Sequence, residues 1–144
     1  MRKTLRTLAL ATAMIVATAL PSSASSSVKT GLFRDGATCN GTNTTREGTV
    51  RASRTGGTLV AVFVGGPNAL GSLDSYYVDI VSPTTPGHCN EIVSTGTATA
   101  NNDGSFRRRV SLHVPRADRK LILSIVDLTT ATDSLESRVV RMAP

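Results

Sequence analysis

Tryptophan is absent from this chain, and aromatic residues make up only 3% of it, two Tyr and three Phe. Carbohydrate binding by ring stacking draws on exposed Trp or Tyr. Tyr76 and Tyr77 are neighbours, so on a strand one faces the core and the other solvent. A single Tyr makes a thin platform. Histidine is scarce too, with only His88 and His113 available as bases or imidazole ligands. There is no G-x-S-x-G, no H-E-x-x-H, no Walker loop and no Cys-x-x-Cys. A Ser-His-Asp triad would have to use one of the two histidines, and His113 shares the parity of Arg107 and Arg109, which reads as a solvent-facing position. Asp74 with Asp79, or Asp127 with Asp133, could pair as a glycosidase requires. Acids in such places are expected anyway as turn formers and solubilising charge. Asn101-Asn102-Asp103-Gly104 lacks the alternating ligand spacing of a calcium loop. The reading is of a protein that is not an enzyme, with no cofactor and no metal.

No apolar run is long enough to cross a bilayer, which takes ~20 residues. The uncharged stretch at 8–20 is shorter, follows Arg2, Lys3 and Arg6, and precedes Pro21 and Ser22-Ser23-Ala24. That is the pattern of a secretory signal peptide over residues 1–24, cleaved between Ala24 and Ser25, with Ala19 as the second choice. No cysteine adjoins the cleavage region and the C-terminus carries no apolar tail. The expected product is therefore a secreted, extracellular domain, 25–144, without a membrane span. Loss of Arg2, Lys3 and Arg6 lowers the formal charge from +6 to +3, since all 10 acids stay. The pI of the full chain therefore overstates the case for a polyanion partner, and nucleic acid is not the expected one. The preference for Arg (13) over Lys (3), with much Ala, Thr and Val, suggests a GC-rich genome and a bacterial secretor.

Cysteine is limited to Cys39 and Cys89. An even number in a secreted chain reads as one disulfide. Closing that 50-residue separation stabilises by about 4 kcal/mol in the chain-entropy model. A reactive Cys89 with His88 as base is the weaker reading, because neighbours on an extended chain point apart. Asn40-Gly41-Thr42 and Asn43-Thr44-Thr45 fit the N-glycosylation pattern; in a bacterial setting they read as a polar surface loop.

What is present is β pattern. Residues 48–54 alternate with period two, Gly56-Gly57 is a turn, and 58–64 (TLVAVFV) is apolar on both parities, which predicts a central strand covered on both sides. Residues 75–81 (SYYVDIV) form another strand, closed by Ser82-Pro83-Thr84-Thr85-Pro86-Gly87. Residues 92–100 and 106–114 flank Asn101-Asn102-Asp103-Gly104, the best hairpin turn in the chain. Phe106, Val110, Leu112 and Val114 share one parity, broken by Arg108. Residues 120–128 and 134–142 make a last pair, and a further strand is expected at 28–34. About eight short strands with regular turn signals predict an all-β sandwich.

Arg107-Arg108-Arg109 is the most conspicuous polar feature. Arg107 and Arg109 share a face, and with Arg116, Arg119 and Lys120 they could form a patch for an anionic cell-envelope polymer. The competing account is that charges on an edge strand block aggregation. An extracellular protein is the other class of partner: residues 82–91 could serve as a protease-inhibitor loop.

The run that joins Pro67-Asn68, Tyr76-Tyr77, Cys89, Gly96-Thr97, Asp103-Gly104 and Ser137-Arg138-Val139-Val140 resembles small secreted immunoglobulin-like β-sandwich proteins of Gram-positive bacteria. The likeness covers residues 59–142 and implies a single immunoglobulin-like sandwich of about 7–8 antiparallel strands, with no active site carried over. The segment around Asp103-Gly104 is also similar to the enediyne-binding apoproteins of the neocarzinostatin type, which implies a small-molecule carrier. Those have two disulfides, and this chain can form one.

Overall fold

The computed structural model describes residues 25–35, 39, 45–85, 87–130 and 134–143. The expected signal segment with Ala24, the two Asn-Gly/Thr loop positions Asn40 and Asn43, and Asp133 lie outside them. The described residues form ten strands: β1 Ser25–Asp35, β2 Arg46–Thr55, β3 Thr58–Gly65, β4 Ser75–Thr85, β5 His88–Ser94, β6 Ala98–Thr99, β7 Phe106–His113, β8 Lys120–Asp127, β9 Ser134–Ser137 and β10 Val140–Arg141. Among them there is no helix, so none is long and apolar enough to cross a membrane. All pairings are antiparallel, and one curled ladder runs β5-β4-β8-β9-β1-β2-β3-β7, with β6 beside β4 and β10 beside β8. Residues from both ends of the ladder share one core, including Leu32, Val50, Leu59 and Phe63 with Val78, Ile80, Leu123 and Ile125. The rings of Tyr76 on β4 and Phe106 on β7 meet at 5.3 Å and tie the two ends together.

Period two builds these strands. On β3, Leu59, Ala61 and Phe63 are buried, while Val60, Val62 and Val64 are only half-buried. The prediction that this strand is covered on both sides therefore fails on its outer face. The strand buried on both faces is β8, where Leu121 to Ile125 are all buried. Two runs rich in apolar residues look alike in sequence, and only the packing around them distinguishes their outer faces.

The turn at Asn102-Asp103-Gly104 is present, with Gly104 at φ 77, but it does not join a hairpin. β6 pairs with β4, and β7 with β3. The turn closes on itself, Asn101 N–H donating to the Ser105 carbonyl and Gly104 N–H to the Asn101 carbonyl, and segment 68–74 crosses it: Asn68 and Leu70 N–H donate to the Asp103 and Gly104 carbonyls, and Ala100 N–H donates to the Asp74 carbonyl. A Cβ on Gly104 would stand 2.0 Å from the Leu70 carbonyl oxygen, so this crossing needs glycine. The strand expected at 92–100 is broken at Thr95-Gly96-Thr97, where it passes from β5 to β6. β4 runs past the expected stop to Thr85. Pro83 is tolerated there because β4 has outrun β8, which ends its pairing at Val81, and the β5 register shifts at the same place.

The ladder turns its corner at β1 and β9. Leu32 pairs with Ser137, and the register of β1 on β2 shifts between Leu32 and Phe33. Ser137 is the first residue of the Ser-x-x-Val run, and its Oγ accepts the Leu123 N–H at 2.9 Å and donates to the Arg138 carbonyl at 2.8 Å. The hydroxyl thus serves the ladder where β9 stops before β10. The Arg138 guanidinium lies 4.9 Å from the Phe33 ring centroid.

Arg54 departs furthest from pattern. It occupies the inward parity of β2 and is 0% exposed. Its guanidinium donates to the carbonyls of Gly56, Val114, Pro115 and Asp118, bracing the β2–β3 turn against the β7–β8 connection.

Candidate functional site: a cationic sheet face

The outward parity of β1, β2, β3 and β7 forms cross-strand rows. One row reads Lys29, Arg51, Val62, Arg109; the next reads Gly31, Thr49, Val64, Arg107; on the other side lies Ser27, Ser53, Val60, Ser111. Neighbouring strands stand about 4.8 Å apart and same-face residues along a strand about 6.7 Å apart. Arg51 and Arg109 therefore flank Val62 with backbones about 10 Å apart, and Arg107 follows Arg109 one step along. Lys29, Arg51, Arg107 and Arg109 are exposed. Val62 is shorter than the arginines on both sides of it, and Val64 is shorter than Arg107, so these arginines bank the depressions over β3. The depression around Val60 and Val62 measures about 510 Å³, and that around Val62 and Val64 about 440 Å³.

Like charges this close repel, and an anion relieves the repulsion. On β2 the outward parity carries one carboxylate, Glu47, and the Arg34 guanidinium is 3.5 Å from it; β3 and β7 carry none. The face is therefore rich in donors and poor in negative charge.

Of the anion-binding residues expected from sequence, this face unites Arg107 and Arg109 and leaves out the others. Arg116 lies over the β2–β3 turn, where a Cβ on Gly56 would be 3.2 Å from its Nη2. Arg119 and Lys120 line a separate depression with Arg141, Met142 and Ala143. The reason is Arg54, which draws the 114–118 backbone inward and away from β7. Lys29 and Arg51 were missed. Their signal was outward parity within their own strands, but only the register of β1 and β2 with β3 brings them opposite Arg109. Arg108 takes the inward parity, as its place beside Phe106 predicts, yet reaches out to donate to the Gly96 carbonyl at 3.3 Å. Burial pushes the neighbouring Tyr76 hydroxyl pKa up, with the Arg108 charge opposing. β7 is also the terminal strand of the ladder, the setting in which arginines would guard an edge.

A second polar row lies on β4, β8 and β9: Asp79, Ser124, Glu136. Burial, then the nearby Glu91 charge, raises the Asp79 pKa to about 6, against a backbone hydrogen bond at Ile80. Burial and the charges of Asp79 and Glu91 raise Tyr77 as well. Asp127 serves its turn, accepting from the N–H groups of Thr129 and Thr130 and from the Thr130 hydroxyl. Asp103 accepts from the Ser105 hydroxyl and N–H, which lower its pKa. His113 is exposed opposite Thr58 at the end of β7, and His88 is exposed at the start of β5. Among the described residues no three His, Cys, Asp or Glu side chains converge as metal ligands.

Cys39 and Cys89 form a disulfide with Cα atoms 6.1 Å apart, so neither is a free thiol. Cys89 lies within β5, opposite Pro83. The segment 82–91, weighed as an inhibitor loop, is largely the paired ends of β4 and β5. Comparison of the chain with protein-family models, with curated proteins and with solved structures returns no match.

Proposed function

We propose that this is a secreted, non-enzymatic binding module that holds an anionic cell-envelope polymer on the face bearing Lys29, Arg51, Arg107 and Arg109. The observation that carries the reading is the row structure itself: four exposed cations on two adjacent rows that hold no carboxylate, with Glu47 of β2 beyond them engaged by Arg34. Export through residues 1–24, with cleavage before Ser25, belongs to the same reading. Its support is the order of the first residues: Arg2, Lys3 and Arg6, an uncharged stretch at 8–20, then Pro21 and Ser22-Ser23-Ala24. We further read the curled ladder as an immunoglobulin-like sandwich, β1-β2-β3-β7 facing β4-β5-β8, because the corner at Ser137 and the Tyr76–Phe106 contact bring the inner faces onto one core. The disulfide suits an oxidising compartment.

The test is co-sedimentation of the oxidised protein, from Ser25 onward, with purified cell-wall sacculi at low salt and at ~0.5 M salt. Binding at low salt that is lost at high salt, and lost in Arg51→Ala/Arg109→Ala, supports the reading. Binding that survives both would replace it with a shaped site for a non-ionic ligand. Absence of binding at low salt would refute it and direct the search to a soluble extracellular protein.

A further inference from the structure

The trough along β3 has a composition that net positive charge does not require. Its floor is three β-branched apolar residues, Val60, Val62 and Val64, whose cross-strand neighbours on β2 and β7 are all polar. Each valine stands between two side chains able to donate: Ser53 and Ser111 beside Val60, Arg51 and Arg109 beside Val62, Thr49 and Arg107 beside Val64. Arginine only donates, and hydroxyls can donate, so the banks suit a ligand of acceptors. The valines suit carbon and hydrogen. Repetition of both along one strand describes a linear ligand that alternates anionic groups with an aliphatic linker.

The spacing narrows the class. Successive rows are about 6.7 Å apart. Two extended peptide residues contain six backbone bonds and span about 6.6–7.2 Å. A polymer with one phosphodiester for every six backbone bonds, that is, with a three-carbon linker, has the same repeat. Building on the polyanion reading of this face, we infer that its ligand is a glycerol-phosphate type polymer lying along β3. One phosphodiester sits between Arg51 and Arg109, and the next between Arg107 and Thr49. The linker between them runs from the Val62 row to the Val64 row.

A single nucleic-acid strand carries the same number of bonds per phosphate, but binding it draws on aromatic side chains to stack the bases. Of the five aromatic residues, Tyr76 and Phe106 pack together in the core, Phe63 is buried, Phe33 is under Arg138, and Tyr77 lies on β4. Phe33 alone has the outward parity of this face, its ring against Gly31 on β1, two strands from Val64, and under Arg138, which leaves one ring where a strand of bases needs several.

The experiment titrates the oxidised protein by calorimetry, at one fixed low ionic strength, with three probes matched in number of phosphates: oligo(glycerol phosphate), inorganic polyphosphate and oligothymidylate. The glycerol polymer is expected to bind about tenfold tighter than polyphosphate, although polyphosphate has the higher charge density, because only the former keeps register with both arginine rows. Val62→Thr/Val64→Thr keeps the β-branched shape and the strand. It is expected to weaken the glycerol polymer about three- to tenfold and to leave polyphosphate unchanged. Polyphosphate binding as tightly or tighter, or a double-threonine variant that matches the parent, overturns the inference and leaves the polyanion reading standing. Oligothymidylate binding tightest overturns it in favour of a nucleic-acid strand. If no probe binds, the polyanion reading falls with it.

Discussion

Arg54 is a buried cation whose hydrogen bonds all go to main-chain carbonyls, and its replacement tests the account of how the β7–β8 connection is held. In Arg54→Met the apolar stem is kept and the donors are lost. The bonds to Gly56 and Val114 are buried, while those to Pro115 and Asp118 are only partly so. Leaving a buried carbonyl without a donor costs about 1–3 kcal/mol; the two outer carbonyls can turn to water. Removing the guanidinium returns some of its desolvation cost. The balance is a loss of about 3 kcal/mol. For a domain of this size that corresponds to a Tm lower by about 10–15 °C. Arg54→Lys is expected to fare no better, because a compact ammonium cannot spread over acceptors at the β2–β3 turn and along 114–118 at once. Thermal and urea unfolding of the oxidised protein, followed by far-UV circular dichroism, measures the loss. Hydrogen exchange of the amides at 116–118 reads the local loosening. A methionine variant within about 1 kcal/mol of the parent, or a lysine variant indistinguishable from it, would refute the brace.

Three further outcomes are expected. Asp79 titrates near 6 in the folded chain against 3.8 as a free carboxyl, so the folded state holds a proton that the unfolded chain has released. Stability therefore falls as pH rises between those values. Asp79→Asn should flatten that fall and gain about 1–2 kcal/mol near neutrality at this half-buried, solvent-screened site, read from urea midpoints on either side of the range. Reducing the Cys39–Cys89 bond, which closes a separation of 50 residues, should remove about 4 kcal/mol, measured by unfolding with and without reductant. Gly104→Ala meets the Leu70 carbonyl at 2.0 Å with φ at 77 and should lose about 2 kcal/mol or more, whereas Gly66→Ala, with nothing within 4 Å of the added carbon, should stay within about 0.5 kcal/mol of the parent.

Local pattern alone determined a good part of this molecule. Alternation assigned Phe106, Val110 and Val114 to the core and Arg107 and Arg109 to solvent, because side-chain direction on a strand reverses at each residue. The turns at Gly56-Gly57 and Asp103-Gly104 follow from residues that accept positive φ, and the only two cysteines could pair only with each other. Tertiary structure decided what depends on contacts between distant residues. Whether the valines of β3 or the second face of β8 would be covered is set by what packs on each, which parity does not encode. The Asp103-Gly104 turn joins strands that never pair with each other, because β6 is taken by β4 and β7 by β3. Arg54, inward by parity and polar by type, needed four carbonyls from separate parts of the chain to be buried. The candidate site has the same origin. Lys29 and Arg51 meet Arg109 only through the register of β1, β2, β3 and β7, while Arg116, Arg119 and Lys120, nearer in sequence, are carried away by the connection that Arg54 holds.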